Sequence, residues 1–364
     1  MENKKARIGF IGAGGIARSH AFSLNSLRYY YDDVPDLELA AVCSATPVKR
    51  DLFADRYGFR KSCDINELIS NEIIDTVFIL GPNNVHYEHL KAAFGMKALK
   101  RIYLEKPVCS DQDEAYAMSE LAESNKNINI QVGFQFLFTS AIRQALALWK
   151  TGKLGKPVHF ELKYYHGDYL KKDYRVKRAS RLTPAPDGGA MADLGSHALS
   201  LLIAFMGKKL HITGALQAGH FEDVPRGSDL FSQISLYEET TGAVGTVSAS
   251  RISSGTGDSL SLHLFAEGGS LRYSSESPDI FEFYTGESGL WSKNITGSNF
   301  RPASGFPSVH VPSGWLRSMI HAQYVFLTGG KDEAFIPDLN HGLAVQRLII
   351  ETAEHLERFR KTCI

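Results

Sequence analysis

With 364 residues the chain exceeds what a single hydrophobic core usually supports, so two domains are the default expectation. Its 40 basic residues balance 40 acidic ones, which leaves no net field to draw in nucleic acid or anionic lipid and directs attention to small-molecule chemistry. No apolar stretch is long enough to span a bilayer and no leader pattern precedes the first strand. Cys43, Cys63, Cys109 and Cys363 lack C-x-x-C spacing, so we expect a cytoplasmic protein without a disulfide framework, zinc ribbon or other metal site.

An apolar strand at residues 6–11 runs straight into Gly12-Ala13-Gly14-Gly15-Ile16-Ala17 and a helix. Glycine permits the sharp turn, a second glycine lets backbone N–H groups approach a pyrophosphate, and the small Ala17 lets helix and strand pack closely, so this segment is expected to bind a dinucleotide. Residues 37–44 form the second strand, ending in Val42-Cys43-Ser44-Ala45-Thr46 with no acid to accept from ribose hydroxyls. Lys49 and Arg50 follow in the next helix (49–57, closed by Gly58), and Ser44, Thr46 and Lys49 favour NADP over NAD. A buried strand at 76–80 leads into Gly81-Pro82-Asn83-Asn84, a helix spans 87–94, and a strand at 101–104 leads into Glu105-Lys106-Pro107. A helix at 111–124 and a strand at 128–132 complete the pattern. Strands alternating with helices imply a parallel sheet covered on both faces, with ligands at the carboxyl ends of its strands. The loops carrying Gly81, Pro82 and Asn83, and Glu105 and Lys106, therefore face the nucleotide. For His86, cofactor contact and packing at a helix start are equally open.

After about residue 135 the rhythm changes. A helix at 139–150 ends at Gly152, and alternating stretches follow at 158–165, 230–236, 243–250, 260–267 and 271–273, which suits antiparallel strands covered on one face. Residues 274–313, rich in Ser, Gly and Pro, read as long surface loops, and 343–360 as a closing amphipathic helix. The expected domains are 1–135 and 136–364. One second-domain stretch carries chemistry: Asp187-Gly188-Gly189, then Asp193-Leu194-Gly195-Ser196-His197. If residues from 191 onward are helical, Asp193 and His197 share one flank, where a carboxylate can orient an imidazole acting as general base. Oxidation would then rise with pH through the range where histidines titrate. A plain helix-surface hydrogen bond is the alternative.

Taken in order, these motifs, including Gly81-Pro82-Asn83-Asn84-Val85-His86, resemble those of the Gfo/Idh/MocA oxidoreductases. The resemblance extends through Gly268-Gly269-Ser270-Leu271, Pro337-Asp338 and His341-Gly342. It implies an α/β chain: an N-terminal Rossmann domain with a doubly wound parallel sheet, then a C-terminal α+β domain with a large open, mainly antiparallel sheet. It also implies hydride transfer between NAD or NADP and a hydroxyl carbon of a sugar, cyclitol or related polyol, with Lys106, Asp193 and His197 as the catalytic group. Gln135 joins the cofactor candidates, and Tyr165, Tyr169 and Arg181 the substrate candidates. Where family members often carry a basic run, this chain has Gln135-Phe136-Leu137-Phe138, which favours a neutral substrate, although Phe136 and Phe138 also read as core. A dinucleotide-sensing regulator and a glycosidase using transient oxidation are the alternatives. Leu260, Leu262 and Leu264 alternate with Ser261 and His263, beside Phe231, Ile234 and Leu236; apolar residues on both sheet faces would make a homodimer or homotetramer interface.

Overall fold

The computed structural model describes residues 5–183, 187–297, 299–304, 306 and 314–362. Its first unit is a six-stranded, wholly parallel sheet in the order β3-β2-β1-β4-β5-β6. The strands are β1 (Ala6–Ile11), β2 (Leu37–Cys43), β3 (Lys61–Cys63), β4 (Thr76–Ile79), β5 (Arg101–Leu104) and β6 (Asn129–Val132). Helices α1 (Gly15–Ser26), α2 (Pro47–Tyr57), α3 (Ile65–Ile69), α4 (His86–Phe94) and α5 (Gln112–Ser124) connect them. All four β4 residues, Thr-Val-Phe-Ile, are buried, as a strand covered on both faces requires.

The second unit is an eight-stranded sheet in the order β14-β13-β12-β11-β7-β10-β9-β8. Its strands are β7 (Pro157–Tyr165), β8 (Leu210–Ala218), β9 (Phe231–Glu238), β10 (Val244–Ser250), β11 (Ser259–Ala266), β12 (Gly269–Ser274), β13 (Ile280–Thr285) and β14 (Leu290–Ile295). Every pairing is antiparallel except β7 with β10. Helices α6 (Ser140–Lys150), the short α7 (Lys172–Lys177), α8 (Ser196–Met206), α9 (Gly314–Thr328) and α10 (Leu339–Thr362) complete the chain. The indole of Trp149 on α6 donates to the Phe205 carbonyl of α8 at 2.9 Å. Among the described residues no helix is long and apolar enough to cross a membrane.

Three sequence expectations change. Residues 274–313 are not all loop: Ile280–Thr285 and Leu290–Ile295 form a hairpin that extends the sheet, their alternation masked by a Ser- and Gly-rich neighbourhood. Parts of that stretch, including 307–313, lie outside the described residues. Helix α9 escapes the sequence pattern because every residue from Arg317 to Leu327 is buried, so no exposed polar stripe marks it. Finally, Leu260, Leu262, Leu264, Ile234 and Leu236 are all buried on the inner face, while Phe231, Ser261 and His263 are half-exposed, so the leucine alternation does not itself supply an apolar outer face.

Helices α9 and α10 return to the first unit, packing on α1 and α5. The backbone N–H of Val132 donates to the Pro337 carbonyl at 2.8 Å, tying the edge strand β6 to the segment before α10.

Candidate active site

The loop between β1 and α1 is shaped by backbone constraints. Gly12 adopts φ 121°, and a Cβ there would lie 2.9 Å from the carbonyl carbon and oxygen of Leu80, so only glycine fits. Gly14 is the N-cap of α1, and no side chain caps that helix and no acid lies in its first turn. At Gly14 and Gly15 an added Cβ would meet nothing within 4 Å. The first-turn N–H groups have no side-chain cap and the Cβ positions of both glycines are open, a combination that fits a pyrophosphate. Ala17 is fully buried beneath them, and Ala13 and Ile16 are half-buried against the core.

At the end of β2, Ser44 is half-buried and its hydroxyl donates to the Thr46 carbonyl at 3.4 Å. The Arg50 guanidinium donates to the Ser44 carbonyl at 3.4 Å, and its buried Nε makes no hydrogen bond but lies 3.9 Å from the Asp51 carboxylate. Thr46 is the N-cap of α2 without a side-chain cap bond, and Lys49 is exposed. Residues 43–50 contain no carboxylate.

At the other end of the cleft the loops after β4 and β5 are clipped together. His86 is fully buried, with ring nitrogens 2.9 Å from the carbonyls of Gly81 and Pro107, so it packs between the loops rather than facing a ligand. Burial lowers its basicity. Pro82 is exposed at the loop's rim. Asn83 donates to the Asp187 carboxylate at 2.6 Å and to the Asp187 carbonyl at 3.0 Å, and Ser110 donates to the same carboxylate at 2.7 Å, so this contact bridges the two units. Glu105 also points inward. One oxygen lies 2.8 Å from His20 Nε2 and the other accepts from the Lys106 backbone N–H at 3.1 Å, while Gln323 of α9 reaches His20 Nδ1 at 2.8 Å. Gln135 is buried, its amide nitrogen 2.9 Å from the Gly133 carbonyl and its oxygen 3.0 Å from Trp315 Nε1.

The catalytic candidates meet where these loops face the second unit. A π-helical turn, Met191–Gly195, precedes α8, so the regular i, i+4 flank expected for Asp193 and His197 does not form. Asp193 is instead held by three cations. Lys106 Nζ donates to its backbone carbonyl at 2.7 Å and to Oδ1 at 3.0 Å, Arg251 Nη2 donates to Oδ2 at 2.8 Å, and Arg181 Nη1 lies 3.4 Å from Oδ1. Burial opposes ionisation of Asp193, but Lys106, Arg251 and Arg181 outweigh it and hold the carboxyl well below its ordinary range. His197 is buried among Phe134, Phe136 and Tyr164, with ring centres 6.0, 5.2 and 5.8 Å away, and its Nδ1 has no hydrogen-bond partner. Burial, and then the nearby Lys106 charge, push its pKa well below the usual histidine value, so the ring is neutral.

Two family matches cover most of the chain: residues 6–134 match the oxidoreductase family with an NAD-binding Rossmann fold, Gfo/Idh/MocA, and residues 142–272 match the Gfo/Idh/MocA C-terminal domain. The chain belongs to the Gfo/Idh/MocA oxidoreductases. Among curated relatives it is 26% identical to glucose-6-phosphate 3-dehydrogenase of Bacillus subtilis over 54% of this chain and 52% of that one. It is also 26% identical to levoglucosan dehydrogenase of Pseudarthrobacter phenanthrenivorans, over 75% and 74% of the respective chains. It thus spans about half the length of the first relative and about three quarters of the second. In fold it is similar to an NAD-binding oxidoreductase from Klebsiella pneumoniae, with TM-score 0.85 at 24% identity, covering 98% of each chain.

In this Gfo/Idh/MocA chain the substrate candidates separate. Tyr165 lies on the outer face of the sheet, 2.7 Å from the Ser248 hydroxyl, and points away from Lys106 and His197. The preceding residue, Tyr164, faces inward beside His197 and Phe136, and burial pushes its phenol pKa up. A strand's period of two makes that single-residue step a change of face. Tyr169 is buried beneath the Arg251 guanidinium, 4.7 Å from its ring centre, while Arg181 is 57% exposed at the cleft mouth. Phe136 borders His197, whereas Phe138 is fully buried core.

Sequence reasoning passed over His20, Tyr164 and Arg251. His20 lies within α1 with no local signal beyond its position after the glycine loop. Arg251 follows an alternating strand, and an arginine there reads as a strand-end charge until the fold buries it.

Proposed function

We propose that this protein is an NAD(P)-dependent dehydrogenase that moves a hydride between nicotinamide and a hydroxyl-bearing carbon of a sugar, cyclitol or related polyol. The observation that carries this reading is the meeting of a Lys106–Asp193 ion pair and a buried, neutral His197 at the mouth of a cleft whose other end is an uncapped glycine loop. The names of the two curated relatives, one acting on glucose 6-phosphate and the other on levoglucosan, support the substrate class. A nicotinamide dinucleotide, once bound, supplies the hydride acceptor. The N–H groups of Gly14, Gly15 and Ile16 would hold its pyrophosphate. His197 accepts the hydroxyl proton as the carbonyl forms, and Lys106, held by Asp193, donates to the same oxygen while charge develops on it.

At the adenosine end the reading favours NADP, because residues 43–50 lack a carboxylate while Arg50, Lys49, Ser44 and Thr46 offer donors for a 2′-phosphate. The protein works in the cytoplasm as a homodimer or homotetramer through the second sheet, whose outer face exposes Leu216, Tyr237, Val244 and Trp291. Sedimentation showing only monomer at micromolar concentration would remove that assembly.

The decisive assay is NAD(P)H formation with a panel of polyols, neutral sugars and sugar phosphates. Net reduction supports the dehydrogenase; release of aglycone without it identifies a glycosidase, and neither identifies a dinucleotide sensor.

A further inference from the structure

Arg251, the residue after β10, is the bulkiest fully buried side chain among the described residues, only 1% exposed. Burying a guanidinium costs several kcal/mol unless it is paired and hydrogen-bonded. Here Nη2 donates to Asp193 Oδ2 at 2.8 Å, Nη1 donates to the Arg181 carbonyl at 2.8 Å, and the group lies over the Tyr169 ring. Asp193 thus divides its oxygens: Oδ2 goes to Arg251, which leaves Oδ1 turned toward Lys106 at 3.0 Å. A carboxylate bound only by Lys106 and the exposed Arg181 would be free to rotate about its last bond. With Oδ2 fastened inside the wall, that rotation is blocked.

We infer that Arg251 is a positioning residue for the reaction, acting through Asp193 to aim the Lys106 ammonium at the substrate oxygen. The inference rests on the dehydrogenase reading of Lys106. Other groups bear on Asp193 as well. Lys106 comes from the loop after β5, Arg181 from the turn before the Gly188-Gly189 segment, and His197 from α8. From β7 and the turn after it, Tyr164, His166 and Tyr169 also face the carboxylate. Of the cations beside the carboxylate, Arg251 alone is wholly enclosed, so its charge is the least screened by solvent.

The test compares the wild type with Arg251→Met and Arg251→Lys. Three properties are followed: turnover with the best polyol, dinucleotide affinity, and titration of the Asp193 carboxyl by NMR in selectively ¹³C-labelled protein. Arg251→Met is expected to lower kcat roughly tenfold to a hundredfold, the scale seen when a group that orients a reacting side chain is lost. It should leave dinucleotide affinity within about threefold and move the Asp193 titration to higher pH. Arg251→Lys, which keeps the charge and can fold where the methionine variant does not, should restore the titration and part of kcat. An Asp193 titration unmoved in Arg251→Met, or no better in Arg251→Lys when the methionine variant is folded, overturns the inference. So does a folded Arg251→Met enzyme with wild-type kcat, or, where that variant does not fold, an Arg251→Lys enzyme whose Asp193 titration moves while kcat stays at the wild-type value. A wild-type protein inert toward every polyol instead defeats the dehydrogenase reading, a result separable from the titration.

Discussion

The two ends of the cleft are built from different materials. The proposed dinucleotide end rests chiefly on backbone: a glycine at φ 121° where a Cβ would lie 2.9 Å from the Leu80 carbonyl, and a helix start with no side-chain cap. The reactive end consists of side chains from both units: Lys106 from the loop after β5, Asp193 from a π-helical turn, His197 from α8, and Arg251 beyond β10. Backbone geometry is written locally in glycine spacing, and here the constraint falls on Gly12, where a Cβ would collide with Leu80, while Gly14 and Gly15 have room for one. A constellation assembled across the fold behaves in the opposite way: each side chain has a separable chemical duty.

The strongest challenge to that contrast is His197→Ala, expected to slow oxidation by roughly a hundredfold to ten-thousandfold, the range for losing a positioned general base. Only the neutral imidazole accepts a proton, and its pKa lies well below the usual histidine value. The wild-type rate should therefore rise with pH through that lowered pKa and be flat across neutrality, a downward shift from the range expected of an ordinary histidine. A pH–rate profile of wild type and variant checks this, and a limb retained in the variant would assign the base elsewhere.

Next in size is Lys106→Met. Turnover should fall roughly a hundredfold to a thousandfold, the cost of losing one donor to a developing oxyanion, while dinucleotide affinity changes no more than a few fold. Equal losses in both, measured by stopped-flow kinetics and fluorescence titration, would make Lys106 part of the dinucleotide end. The reciprocal experiment is Arg50→Gln. It should weaken NADP roughly tenfold to a hundredfold, matching the 1.5–3 kcal/mol of a hydrogen bond to a charged group, and leave NAD affinity unchanged. Equal effects on both cofactors would show that Arg50 does not read the phosphate.

The smallest expected effects sharpen the comparison at one strand. Tyr164→Phe should change the polyol KM by a few fold, since its ring packs inward beside His197, whereas Tyr165→Phe should leave KM and kcat unchanged because its hydroxyl meets Ser248 on the far face. Steady-state kinetics with the best substrate distinguish them, and the reverse ranking would exchange the two faces.

Legibility follows the same division. Five of the six strands of the first sheet are readable because each is a short, largely apolar run, and 101–104 agrees residue for residue with β5, whereas the three-residue edge strand β3, Lys-Ser-Cys, carries no such run. The outer hairpin β13–β14 is hidden by its Ser- and Gly-rich surroundings, and α9 by its nearly uniform burial. In the site, Lys106 and Asp193 do come together, yet the sequence spacing suggested that Asp193 pairs with His197. A π-helical turn changes the angular offset, and two arginines compete for the carboxylate. Asn83 and Glu105 carry another lesson. Both lie on loops that face the cleft, but one is taken by Asp187 across the units and the other by His20 beneath the loop. A sequence places a residue on a loop; the three-dimensional neighbours decide which way its polar end turns.

The buried chain from Gln323 through His20 to Glu105 and the Lys106 backbone joins the helix that follows the glycine loop to the loop that carries the Lys106 ammonium. On the proposed reading these two points would meet opposite parts of one extended cofactor. Because His20 sits on α1 itself, the span between them is set by a hydrogen-bonded strut inside the protein before any dinucleotide arrives. The molecule carries a gauge of fixed length, and a cofactor that matches it binds without the entropic cost of ordering the two loops around it.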